Sequence, residues 1–450
     1  MKTMTKILAS AVAAALLGFA APASAKLTEA EAARLGADLT PMGAEKAGNK
    51  DGSIPAWTGG LCSPPAGWNA AQGYIDPFAS DKVVFTITKA NAAQYKDKLT
   101  PGTLAMLNKY ETFKMNVYPT RRTACLPQEA YDVIKSMATQ IDLNGFGFTG
   151  GFSYAPFPIP KNGLEAIWNH VPRYLGGGVE RQFHVFPVRA SGDYYKIGTE
   201  EQRVFFRNLD QSKDNLLGVF MSRFLAPATL EGTVFLVHEP IDQVKETRSA
   251  WIYNSGQRRV RRAPDLSYDN VNDGTEGLRT TDQFDAFNGA PDRYDWKLVG
   301  KKEIYVPYNA YKLSDKQLKY KDDIIRKNTP NADLMRYELH RVWEVEAILK
   351  PGSKHIYGKR VFYLDEDSWT VLYEDAYDSR KQLWRVSIHP LMQFYDAKVP
   401  WFRANIWHDL NNGSYLLSNL DNEIKTPWKF GAKASWSDFQ PDSLRRIGTK

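Results

Sequence analysis

From Val179 onward, apolar and polar residues alternate with a period of two. The runs are "VERQFHVFPVRA", "GDYYKIGTEEQRVFFRNL", "LLGVFMSRFLA", "EGTVFLVHE", "RSAWIYNS" and "QRRVRRA", and the pattern resumes in "YDWKLVGKKEIYVP", "RYELHRVWEVEAIL", "GKRVFYLDED", "SWTVLYEDAYD" and "QLWRVSIH". Successive side chains on a strand point to opposite faces, so this spacing predicts strands; short turns with no helices between them predict an antiparallel meander. In "RVWEVEAIL", Trp343, Val345, Ala347 and Leu349 share one face and Glu344 and Glu346 the other, and "YDWKL" sets Tyr294, Trp296 and Leu298 against Asp295 and Lys297. A sheet with one dry face must bury it against helices, a lid or a ligand. Ten or so strands in one sheet also predict curling or closure, which protects the edges.

Helical spacing is confined to the part before Val179. "LTEAEAARLGADL" offers Thr28 as N-cap with Glu31 three positions on, a capping box. "NAAQYKDKLTPGTLAMLNKYETF", "PQEAYDVIKSMATQ" with Pro127 at a favoured first-turn position, and "NGLEAIWNHV" are further candidates. Between the first helix and these lies "PMGAEKAGNKDGSIPAWTGGLCSPPAGW", whose Gly and Pro content predicts an extended segment over the surface of the rest. The expected class is α+β. Residues 26–178 form a helical and loop-rich segment packed on the sheet, and residues 179–450 form the sheet domain, with a polar insertion near 313–334.

The first 25 residues read as a secretory signal. Lys2 and Lys6 precede an apolar run from Ile7 to about Phe19, and Ala23-Ser24-Ala25 supplies a small-residue cleavage site. The run is too short to span a bilayer, so the mature chain is expected to begin at Lys26, outside the cytoplasm. Cleavage lowers the formal charge of +7 by two, a mild balance that does not imply nucleic acid. Cys62 and Cys125 are the only cysteines, and in an oxidising compartment a lone pair is most simply a disulfide.

Catalytic patterns are sparse. The seven histidines form no H-x-H or H-E-x-x-H pair, so no metal centre is expected, and "GFSYA" around Ser153 lacks the closing glycine of a nucleophile elbow. Asp365, Glu366 and Asp367 in "YLDEDSW" read as hairpin-turn chemistry, and "DNVNDG" from Asp269 has Val271 where a calcium loop needs a ligand. "LGGGVE" leads into a strand instead of a helix, so no nucleotide cofactor is expected. Aromatic residues are plentiful by contrast. Phe220, Phe224, Phe235, Trp251, Tyr253, Trp343 and Trp384 lie on strands and are the candidate lining of an apolar cavity.

In "WIYNSGQRRVRRAP", strand spacing sets Trp251 and Tyr253 on one face, lets Ser255-Gly256 turn the chain, and separates Arg258, Val260 and Arg262 from Arg259 and Arg261. Arginines on both faces do not make a one-sided nucleic-acid strip. A hairpin with some arginines paired to Asp265 and Asp269 is expected, and Arg259 and Arg261 are candidate contacts for a lipid headgroup or a partner.

The block "FLAPATLEGTVFLVHEPIDQVKETRSAWIYNSGQRRVRRAPDLSYDN", followed by "RYDWKLVGKKEIYVPYN" and "RYELHRVWEVEAILKPGSKHIYGKRVFYLDEDSW", resembles the bacterial domain-of-unknown-function family 1329. More distantly it is similar to the LolA/LolB-like superfamily of outer-membrane lipoprotein sorting. The resemblance implies a curved antiparallel half-barrel wrapped around helices, a cavity for acyl chains or similar guests, and a periplasmic setting. It also suggests as partner an inner-membrane exporter of the resistance-nodulation-division type or an outer-membrane protein. No catalytic residues come with it. The leading expectation is a periplasmic carrier of a hydrophobic or lipid-like molecule. An exported hydrolase with dispersed catalytic residues and an envelope-assembly module that binds a protein partner are the alternatives.

Overall fold

The structure is a computed structural model that describes residues 26–263, 268–271 and 273–449. The expected signal segment and Asp265 lie outside the described residues. The first helix, α1 (Glu29–Ala33), has the expected capping box: the Thr28 hydroxyl accepts from Glu31 N, and the Glu31 carboxylate accepts from Thr28 N at 2.8 Å. It is only one turn long, because the next glycine adopts a positive φ of 87°. Helices α2 (Pro101–Lys109), α3 (Gln128–Met137) and α4 (Gly163–His170) fall where helical spacing predicts them, and α5 (Ser443–Gly448) closes the chain. No helix among the described residues is long and apolar enough to cross a membrane.

The strands follow in two series. Short strands β1 (Phe85–Ile87), β2 (Met115–Val117), β3 (Asp142–Asn144) and β4 (Gly147–Thr149) precede a first meander. That meander comprises β5 (Gly178–Val188), β6 (Ile197–Phe205), β7 (Leu216–Ala226), β8 (Val234–Pro240), β9 (Ser249–Asn254) and β10 (Arg259–Arg262). A second contains β11 (Tyr294–Pro307), β12 (Tyr337–Leu349), β13 (Lys359–Asp365), β14 (Val371–Tyr377) and β15 (Leu383–Ile388). A separate hairpin, β16 (Leu391–Phe394) and β17 (Val399–Phe402), leads to β18 (Asn405–Asp409), β19 (Tyr415–Leu420) and β20 (Lys429–Phe430). The main sheet runs β1-β2-β12-β13-β14-β15-β18-β19-β5-β6-β7-β8-β9-β10, with β11 also on β12 and β20 also on β5. The two meanders therefore join where β19 pairs with β5.

This order corrects the expected half-barrel. The path is open, its ends do not pair, and the sheet neither closes nor curls around helices. Closure was expected because free edges need protection, but these edges are managed locally. At one end β10 is four residues long and carries exposed Arg259, Arg261 and Arg262. At the other, β1 has three residues, and β11 is charged and interrupted by an irregularity between Leu298 and Gly300.

The one-sided pattern is also only partly realised. On β12, Val345 and Ala347 are buried while Glu344 and Glu346 stay partly exposed. On β13 both faces are covered: Val361 and Tyr363 join one core with Met106, Ile388 and Leu417, whereas Phe362 and Leu364 join another with Trp369 and Trp401. Helix α2 packs against β14 and β15, α4 against β11 and β12, and α5 against β8 and β9.

Cys62 and Cys125 form a disulfide that ties the Gly- and Pro-rich segment down. The acidic run makes the expected β13–β14 turn, but inside the protein. Arg122 donates to both Asp367 oxygens, at 2.9 and 2.6 Å, and to the Glu45 carbonyl at 2.8 Å, so this buried group pins the N-terminal segment to the sheet. Lys301 and Arg341 reach Glu366 at 3.0 and 3.2 Å.

Candidate functional site

Between β5–β8 and the 273–288 segment lies a pocket that is partly open to solvent. Register defines its floor. Antiparallel partners point to the same side, so the pairs Arg181–Glu201, Glu201–Ser222, Ser222–Phe235, Phe235–Ile252 and Ile252–Arg261 form one row across the sheet. A second row runs Val179, Arg203, Phe220, Val237 and Ala250, and a third Phe183, Thr199 and Phe224. Arg181, Phe183, Arg203, Phe220, Phe224 and Phe235 line the pocket. Phe224 meets Phe235 edge-on at 5.8 Å, and Phe284 from the covering segment meets Phe220 at 5.0 Å. The last seven residues of β7, Phe220–Ala226, are only partly buried. Elsewhere, on β13, β14, β18 and β19, nearly every residue is fully buried.

Three of the seven aromatics expected at a cavity thus meet here: Phe220, Phe224 and Phe235. Trp251 and Tyr253 have the opposite parity. Tyr253 is buried with Phe439 and Leu444, and Trp251 packs against His238 at 4.9 Å, beneath the C-terminal segment. Trp343 stacks on Trp369 at 6.2 Å with Lys301 over its ring, and Trp384 donates to Asp409 at 3.0 Å. Neither reaches the pocket.

The wall carries charges that the aromatic pattern did not announce. Asp285 accepts from Arg173 at 3.0 Å, Arg203 at 3.1 Å and the Trp401 indole at 2.8 Å. Burial pushes its carboxyl up, but the Arg173 and Arg203 guanidiniums override this and hold it well below the usual range. Arg181 pairs with Glu201 at 2.9 Å and lies against Trp401 at 4.3 Å, Phe183 at 4.6 Å and Trp428 at 4.7 Å. His170, next to Asp285, is pushed down to about 3 by burial and is neutral at physiological pH.

Arg279 differs from these. It lines the pocket over the Phe284 ring at 5.5 Å and the Trp407 ring at 5.3 Å, and it has no ion pair among the described residues. Its Nε is buried without a hydrogen-bond partner. Burial pushes its pKa down to about 10, so it remains a cation at neutral pH. Sequence parity could have flagged Glu201 and Arg203, which share a strand face with Phe205. Arg279 sits in an irregular segment that gives no such signal.

The β9–β10 hairpin forms as expected, with Val260 opposite Tyr253 and Arg261 opposite Ile252. Arg259 and Arg261 are exposed on the pocket-facing side at the sheet's free edge, and neither is ion-paired among the described residues. Asp269 instead pairs with Arg293 at 3.7 Å.

A second cluster lies elsewhere. One ligand atom each from buried His340, Asp365 and Asp367 falls within 4.8 Å of the others, a convergence that sequence spacing did not show. Asp365 accepts from Tyr308 at 3.0 Å and Ser368 at 2.6 Å, and burial with the neighbouring Asp367 charge raises it to about 7. Asp367 is already gripped by Arg122 through both oxygens, so the donor set serves an internal ion pair.

The chain belongs to the DUF1329 family. The model of that family, described as "Protein of unknown function (DUF1329)", matches residues 86–445. An uncharacterized protein of Pseudomonas aeruginosa is 49% identical over 458 residues, covering 100% of both chains. Among solved structures, a domain of an outer membrane lipoprotein-sorting protein from Vibrio parahaemolyticus is 15% identical with a TM-score of 0.43, over 61% of this chain and 94% of that one. A DUF1329 family protein from Desulfovibrio piger is 15% identical with a TM-score of 0.41, over 60% and 92%.

Proposed function

We propose that this DUF1329 protein is a periplasmic carrier that holds a hydrophobic or lipid-like molecule in the β5–β8 pocket and passes it between envelope components. The observation that carries this reading is the pocket itself, walled by Phe183, Val185, Phe220, Phe224, Phe235 and Val237, where the end of β7 stays only partly buried while β13 and β19 are almost wholly covered. Binding sites for small molecules combine such an apolar lining with a few placed polar groups. In this reading Phe220, Phe224 and Phe235 hold the guest. Arg259 and Arg261, at the free edge on the same side, touch an anionic membrane surface or the exporter or outer-membrane protein that receives it.

The test is extraction. Protein released from the periplasm without detergent is extracted with organic solvent and the extract is analysed by mass spectrometry. A lipid-like compound near one per chain is expected. It should be lost from Ser222→Trp, which sets an indole in the pocket row between Glu201 and Phe235. Clean extracts from wild type, or equal recovery from folded Ser222→Trp, overturn the reading. For the arginines, Arg259→Ala with Arg261→Ala should slow transfer from anionic vesicles, and unchanged transfer removes their role.

A further inference from the structure

The pocket has more positive charge than its own residues neutralise. Among the described residues five guanidiniums stand around it; Arg248 is answered by Glu239, and for the other four, those of Arg173, Arg181, Arg203 and Arg279, there are two buried carboxylates. Asp285 is occupied by Arg173, Arg203 and Trp401, and Glu201 by Arg181, with Arg203 at 3.7 Å. The other acids at the pocket do not restore the balance. Glu239 is held by Arg248 at 2.6 Å, and Asp273 is exposed at the rim, outside ion-pair distance of Arg279. His170 is neutral and adds nothing.

An unmatched charge beside an apolar cavity is costly, and a protein built only to hold hydrocarbon would gain by replacing it. Arg279 lies against the Phe284 and Trp407 rings and feels the Glu201 charge only at a distance, and among the described residues its buried Nε–H has no acceptor. Guanidinium is the side chain best shaped to grip a planar oxyanion through two hydrogen bonds. The apolar residues that would take a chain, Phe220, Phe224 and Phe235, line the same pocket.

We propose that the guest is an anionic amphiphile: a single oxyanion head, carboxylate or phosphate monoester, sits on Arg279, and its hydrocarbon chain lies over Phe220, Phe224 and Phe235. This rests on the carrier reading and adds the charge of the guest to it. It assigns Arg279 a role distinct from the edge arginines, which face a surface and not the guest's head.

Three probes of one chain length separate the possibilities: hexadecanoate, hexadecyl phosphate and hexadecanol, each titrated against delipidated full-length mature protein by displacement of a fluorescent acyl probe. Wild type should bind at least one of the anions ten or more times as tightly as the alcohol, and whichever anion binds better identifies the head. Arg279→Gln should bring that anion to within about twofold of the alcohol while leaving the alcohol's own affinity unchanged. Because Arg279 makes no ion pair among the described residues, and Glu201 keeps Arg181 as its partner, the variant should melt close to wild type. Arg279→Lys, which keeps the charge but not the planar fork, should fall between the two.

Equal affinity of wild type for anion and alcohol overturns the proposal while leaving the carrier reading intact. So does retention of the anion preference in Arg279→Gln. Failure of all three probes to bind overturns both. If Arg279→Gln does not fold, the wild-type comparison of anion with alcohol still decides.

Discussion

Asp285 is the residue whose removal should cost this wall most. Its carboxylate takes two guanidinium hydrogen bonds, from Arg173 at 3.0 Å and Arg203 at 3.1 Å, and one from the Trp401 indole at 2.8 Å. All four residues are buried, and Arg173 is 2% exposed. Removing one partner of a buried pair leaves an uncompensated charge and typically costs about 3–5 kcal/mol. Asp285→Ala strands two guanidiniums and an indole N–H, so a loss near ~5 kcal/mol is expected at neutral pH. Asp285→Asn, which keeps one oxygen for Trp401, should lose ~3 kcal/mol. At roughly 2.1 cal/mol/K per residue, a chain of 450 residues has an unfolding entropy near 0.9 kcal/mol/K, so the alanine variant should melt about 5 °C below wild type. Calorimetry and urea unfolding followed by tryptophan fluorescence measure this directly.

The pH dependence supplies a second readout. The folded pKa of Asp285 lies below its unfolded value, so its contribution is fully present above about pH 4 and is lost as pH falls further. Wild type and variant should therefore converge in acid. A loss below ~1 kcal/mol at pH 7.5, or a gap that does not narrow at all between pH 5 and pH 3, would refute the account. It would mean that the guanidiniums are hydrated from the pocket and do not depend on Asp285.

Three further outcomes follow from the fold. Replacing Cys62 and Cys125 by Ser opens a loop closed across a separation of 63 residues, and should cost ~4 kcal/mol in urea unfolding, matched by wild type under reductant. Asp375, buried beside the start of α2 and accepting from Gly102 N at 2.9 Å, is raised to about 7 by burial, with Glu374 adding to the shift. Its folded form holds a proton that the unfolded chain releases near pH 4, so wild-type stability should fall between pH 4 and 7 relative to Asp375→Asn, by a few kcal/mol on thermal melts across that range. Substituting Arg259 and Arg261 together by Ala should move the melting temperature by under ~1 °C, since exposed changes away from packed features cost little.

Much of the scaffold was legible because it rests on local chemistry. Thr28 and Glu31 announce a cap, Pro127 precedes a helix, and alternation from Val179 marks the strands in order. The overall shape was not, because edge protection has several solutions and the sequence does not say which is used. Short β10 with its arginines and charged β11 leave the sheet open. The site divides in the same way. Period two correctly puts Phe220 and Phe224 on one face, but which face of each strand meets the cavity depends on register across β7, β8 and β9, and that sends Trp251 and Tyr253 to the other side. Arg279 was illegible for a different reason. It belongs to an irregular segment, and only the fold reveals that it has no ion pair among the described residues.

The seam between β19 and β5 also bears on how such a protein is made. Tyr415 pairs with Val188 across about 230 residues of chain, and the seam contributes Arg181, Leu416 and Ser418 to the pocket wall. A polypeptide delivered N-terminus first cannot complete either the sheet's middle or the cavity until its last fifth has arrived, and such distant pairing slows folding intrinsically. It also makes the cavity a late product of synthesis, so that chains cut short before β19 lack part of its wall.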